Sequence, residues 1–146
     1  FLYRNMQMSF YVAFLRAMFL FYQNAHWQSS GPGSYSNHLM FQRLYENVLE
    51  HIDAVAEKSI GLFGNEVVDL SKQTEMISKI LSKYSKMSND FVVAGIEFEK
   101  SFQDVAIKIM NEMKEQEKLT VGLENMILGQ IDASENPRSY LLKQNI

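Results

Sequence analysis

Cysteine is absent from the 146 residues. That removes disulfide scaffolds, zinc fingers, iron–sulfur clusters and thiol nucleophiles together, and it fits a reducing compartment such as the cytoplasm. Proline occurs twice and glycine seven times, too few for an all-β chain built on many tight turns. Positive charge is not in excess: 14 Lys and Arg stand against 17 Asp and Glu, a formal net charge of −3. The chain as a whole therefore has no basic pull towards nucleic acid. Long apolar runs are missing too. The most apolar stretch, Phe10 to Tyr22, contains Arg16 and is about 13 residues long, whereas a membrane-spanning helix needs about 20. No membrane partner is expected. The first residue is Phe1 rather than methionine, so the chain reads as trimmed and a leader peptide cannot be judged.

What is present is a globular composition, with 47% hydrophobic and 21% charged residues, and residues 1–146 are expected to form one domain. Four long helical stretches can be read. The first, Leu2 to Trp27, is apolar nearly all round, which implies burial on several sides. A chain this small rarely surrounds a helix so fully, so a second chain is expected to cover part of it. Gln28 to Tyr35 forms a loop around Gly31, Pro32 and Gly33. Ser36 or Asn37 is expected to cap a second helix ending near Phe63, with Phe41, Leu44, Val48, Ile52 and Val55 inward. A connection follows, with a short helix over Thr74 to Lys83. Asn89 or Asp90 should cap a third helix, Phe91 to Glu117, whose apolar face holds Phe98, Phe102, Val105, Ile109 and Met113. A fourth begins near Thr120 and passes Asp132, with a break at Asn136-Pro137. No strand-like alternation competes. The pattern describes an all-α four-helix bundle with a crossover and a short extra helix between helices two and three.

The chain has three histidines, His26, His38 and His51. A lone histidine is more often a structural residue than a ligand, and His51 takes that reading. His26 and His38 flank the glycine loop, and a short loop between antiparallel helices can bring them within ligand distance. The second helix also carries Glu46, Glu50, Asp53 and Glu57. These fall within about 60° of arc and form one acidic stripe. A solvated face is the bland explanation; a bound cation would relieve the mutual repulsion. His38 and Asp53 are too far apart to share a metal in one chain, about 22 Å along a helix. Two copies of the helix, antiparallel across a two-fold axis near Glu46 and Asn47, would set His38 of one opposite Asp53 and Glu57 of the other. Imidazole with carboxylate suits iron(II), manganese or zinc. A site inside one bundle would use Glu-x-x-His, but the positions three before the histidines hold Gln23, Tyr35 and Val48.

His26-Trp27, His38 twelve positions on, and then Asp53-Ala54-Val55-Ala56-Glu57-Lys58 resemble the signature of the Dps family, the mini-ferritins of DNA protection during starvation. The resemblance implies a ferritin-like fold and a hollow homo-oligomer, a dodecamer, with iron sites at its two-fold interfaces. His26 and His38 would come from one subunit, Asp53 and Glu57 from its neighbour. It implies a ferroxidase that oxidises iron(II), typically with hydrogen peroxide, and stores iron(III) in the cage; no organic cofactor is implied. It also implies pores near the start of the last helix, for which Glu124 and Asp132 are favoured over Glu117. Where many relatives carry an aspartate one turn after His38, this chain has Gln42, a weaker ligand for a hard cation. Lys58 replaces the usual arginine, and Ser134 and Pro137 depart from the C-terminal pattern. Trp27 is expected to anchor the loop by packing. The alternative is a nucleoid protein that coats DNA, which would need basic residues beyond those seen here.

Overall fold

The structure is a computed structural model that describes residues 6–84 and 90–146. It is an all-α, ferritin-like bundle. Its elements are α1 (Met6–Gln28), α2 (Ser34–Phe63), α3 (Leu70–Tyr84), α4 (Phe91–Glu115), α5 (Val121–Ala133) and α6 (Tyr140–Lys143), with a 3-10 turn at Asn65–Val68 and an irregular helical turn at Ser134–Ser139. The first residues expected in helix one and the possible cap Asn89 lie outside the described residues.

The apolar surface of α1 is buried within this one chain. Fourteen of its 23 residues are buried, and α2, α3 and α4 all pack against it. α3, the third helix packed against it, supplies much of the cover expected from a second chain and leaves the Leu20 side of the helix open. Of its large apolar side chains only Leu20 and Trp27 are exposed. The centre of the core is aromatic. Phe14 meets Phe98 edge-on at 5.3 Å, and Tyr84 stacks on Phe98 at 4.4 Å; each such pair adds about 1 kcal/mol beyond the area it buries.

Local chemistry moves several boundaries. Gly33 holds φ 78° just before α2, and no side chain caps that helix. The left-handed residue, a conformation glycine adopts at no steric cost, starts α2 at Ser34, so Ser36 and Asn37 fall inside its first turn. α3 starts four residues earlier than expected. Asp69 Oδ2 accepts from the Lys72 amide, and Gln73 turns inward to donate to the Ser9 and Val67 carbonyls. A glutamine that looks like a surface residue is thus the polar pin between α1 and α3. Asp90 Oδ1 accepts from the Val92 and Val93 amides and caps α4. Glu117 takes φ 58°, which ends α4 two residues early at Glu115. Thr120 caps α5 through the Leu123 amide. The break near Pro137 falls at Asn136, with φ −155° and ψ 117°. Beyond it α6 returns to α4, where Gly95 makes room: a Cβ there would stand 3.1 Å from Leu142 and 3.3 Å from Tyr22.

Candidate metal centre

The loop between α1 and α2 is short because Gly31 and Gly33 both adopt positive φ, 80° and 78°. It sets the last turn of α1 beside the first turns of α2, and there His26 and His38 meet. Their rings stack with centroids 3.7 Å apart and planes 21° from parallel. Each Nδ1 lies 2.7 Å from the other residue's backbone carbonyl oxygen. A carbonyl can only accept, so both Nδ1 atoms carry the hydrogen and donate. Both Nε2 atoms are then left with a lone pair, the form in which imidazole binds a metal. The Tyr45 ring stands edge-on to His26 at 5.5 Å and limits its rotation.

The acidic residues lie elsewhere on the chain. Glu46, Glu50, Asp53 and Glu57 are all exposed along α2. None of the ion pairs among the described residues involves them. Nor do any three metal-ligating side chains come together among those residues. The structure thus brings His26 and His38 together and leaves Asp53 and Glu57 apart from them. Gln42 donates to Glu46 Oε1 at 3.1 Å, which ties that amide to the stripe. Asp53 also borders an apolar groove of about 850 Å³ between α1, α2 and α3, lined by Leu20, Leu49 and Ile52 among others.

One expectation is corrected. Trp27 is 67% exposed and anchors nothing in this chain, because α1 continues through it to Gln28 and its side chain points away from the core. Asn47 faces inward and accepts from Arg138 Nη1 at 2.8 Å, so of the two residues proposed at the axis only Glu46 is exposed.

Sequence reasoning also missed a polar cluster in the bundle interior. Arg138 Nε lies 3.0 Å from each Glu99 carboxylate oxygen, and both side chains are fully buried. Tyr22 and Ser134 donate to Glu99, and Arg138 Nη1 donates to His51 Nδ1 at 3.1 Å. His51 is therefore protonated on Nε2. Burial, and then the neighbouring Arg138 charge, hold its pKa down at about 4. Burial, followed by the adjacent Glu99 charge, pushes the Tyr22 phenol far up. The sequence held one clue: Glu99 falls on the same helical face as Gly95, Phe102 and Ala106, all core residues.

No protein-family model matches the sequence. The chain is similar to DNA protection during starvation protein 2 of Bacillus anthracis, 29% identical over 83 residues, which is 57% of each chain. It is also similar to the DNA protection during starvation protein of Brevibacillus brevis, 30% identical over 77 residues, covering 47% of this chain and 52% of that one. The chain spans about half the length of the curated relatives it matches. Among the described residues no helix is long and apolar enough to cross a membrane.

Proposed function

We propose that the chain is the subunit of a mini-ferritin cage in which iron(II) is the substrate, oxidised at sites shared between two copies. The observation that carries this reading is the reciprocal bonding of His26 and His38. It presents two Nε2 lone pairs on one subunit, while the carboxylates suited to complete an iron site, Asp53 and Glu57, are exposed on a distant part of α2. A second copy of α2 running antiparallel brings Asp53 and Glu57 to the histidines, and the same operation makes a second, equivalent site. The groove beside Asp53, with Leu20 and Leu49 exposed at 43% and 42%, gives that contact an apolar component. Two iron(II) ions give one electron each to hydrogen peroxide, which takes up two protons and leaves as two waters. The iron(III) product hydrolyses and is stored inside the cage. In the cell the cage is cytoplasmic and limits oxidative damage by removing both reagents of hydroxyl-radical chemistry. The names of the two relatives, which refer to DNA protection, fit this chemistry and also fit direct coating of DNA. The acidic net charge favours the iron reading.

The test is complementation. His38→Ala and Asp53→Ala should each lose most peroxide-dependent iron(II) oxidation, and the double variant should be little worse than either, because ligands of one site act as a unit. Co-refolding the two inactive single variants should then restore about a quarter of the wild-type rate: half of randomly formed pairs are mixed, and each mixed pair holds one intact site of two. A mixture as inactive as its components would place all the ligands within one chain and sink the shared site.

A further inference from the structure

The polar cluster inside the bundle draws on nearly every long helix. Tyr22 comes from α1, Asn47 and His51 from α2, Glu99 from α4, and Ser134 and Arg138 from the segment after α5. Its donors and acceptors are organised around one cation. Arg138 Nε sits 3.0 Å from both oxygens of Glu99, and Nη1 sits 2.8 Å from Asn47 Oδ1 and 3.1 Å from His51 Nδ1. Without the guanidinium, what remains is a carboxylate, an imidazole nitrogen with a free lone pair, an amide oxygen and a phenol. Carboxylate, imidazole nitrogen and amide oxygen, all facing one guanidinium, are ligand types for a divalent first-row metal ion.

One general rule and one observation argue that the guanidinium is not there simply to hold the fold. A buried ion pair contributes little net stability, since the cost of desolvating both ions offsets their attraction. And Arg138 Nη2 is buried with no hydrogen-bond partner, so the cluster meets the need of the carboxylate for a cation better than it meets the need of arginine for acceptors. The cation is what Glu99, Asn47 and His51 share.

We propose that Arg138 is the resident cation of a latent divalent-metal site formed by Glu99, His51 and Asn47, and that its positive charge keeps that site closed to metal. A divalent ion cannot take up these ligands with a guanidinium 3 Å from the carboxylate, because like charges at that distance in a buried site repel strongly. Metal reaching the chain is then confined to its surface. That last consequence rests on the reading of His26 and His38 given above; the closed core site does not.

The experiment uses cobalt(II), whose visible absorption reports its ligands, on the full chain carrying His26→Ala and His38→Ala so that the surface pair is silent. Adding Arg138→Ala should create one bound cobalt(II) per chain, at least ten-fold tighter than any binding without it. Cobalt(II) at a hundred-fold excess over Kd should raise the Tm of that variant by about 5–10 °C. Arg138→Lys keeps the cation and should bind no extra ion, and Arg138→Ala with Glu99→Gln should lose it. If Arg138→Ala is unfolded alone, cobalt(II) should restore its helical circular dichroism. The proposal is overturned if Arg138→Ala binds no additional cobalt(II), if the extra ion survives Glu99→Gln, or if the unfolded variant stays unfolded with metal. Loss of iron oxidation on His38→Ala is read separately, so failure of the surface site and failure of the core site give different results.

Discussion

His51 shows how one residue type divides into different roles within a single chain. It follows Glu50 on α2, is half-buried, and has its Nδ1 committed as an acceptor to Arg138 Nη1. Its pKa is lowered from 6.5 to about 4 by burial and then by the Arg138 charge. Between those two values the unfolded chain binds a proton that the folded chain refuses. The contribution of neutral His51 is therefore complete above about pH 6.5 and is lost as pH falls towards 4. His51→Gln keeps an acceptor for Arg138 and removes the titration. Its urea midpoint should fall less between pH 7 and pH 5 than that of the wild type; equal falls would mean that the histidine is not held neutral. His26 and His38, by contrast, turn their Nδ1 atoms to carbonyls. That pairing was legible in the sequence, because a twelve-residue spacing across a glycine loop has few geometries. The fate of His51 was not legible, because it depends on Arg138, 87 positions away, across a break at Asn136 that no local pattern locates in space.

At the scale of the helices, caps and apolar periodicity did most of the specifying. Phe41, Leu44, Val48 and Val55 of α2 and Phe98, Phe102, Ile109 and Met113 of α4 are buried as their spacing requires. Ile52 and Val105 are only partly buried, since they sit where the stripe turns away from the core. What periodicity could not show is which neighbour covers a face: α1 is apolar on all sides because α3 packs on it as well as α2 and α4. α3 was underestimated because Gln73, wholly buried, reads as polar surface. The Thr120 cap can be measured in isolation. Its hydroxyl accepts from the Leu123 amide at 3.1 Å, so Thr120→Ala should lower stability by about 1 kcal/mol and Tm by about 2–4 °C. Thr120→Ser should recover most of the loss, and a change of similar size in both variants would show that the hydroxyl is not what matters.

At the scale of the proposed assembly, a cage that stored iron would have to admit it, and carboxylates lining a polar channel are how proteins attract a cation. α5 offers Glu124 in its first turn and an exposed Asp132 near its end, about 12 Å apart along the helix. Glu117, the third candidate, lies off the helices at φ 58°. The structure adds a complication: Lys114 Nζ stands 3.5 Å from Glu124 Oε2. In a channel, that lysine cancels part of the attraction that Glu124 provides. Two opposite effects should therefore be seen in the initial rate of iron uptake. Glu124→Gln with Asp132→Asn should slow it, and Lys114→Gln should speed it. Both effects should be larger in dilute buffer than at 0.5 M salt, because steering of an ion is screened by salt. Oxidation by the disassembled subunit pair should not change, since the residues of the proposed shared site on α2 are untouched. If the double carboxylate variant takes up iron at the wild-type rate in dilute buffer, iron passes through another part of the shell. If Lys114→Gln slows uptake instead, the lysine holds Glu124 in place rather than masking its charge.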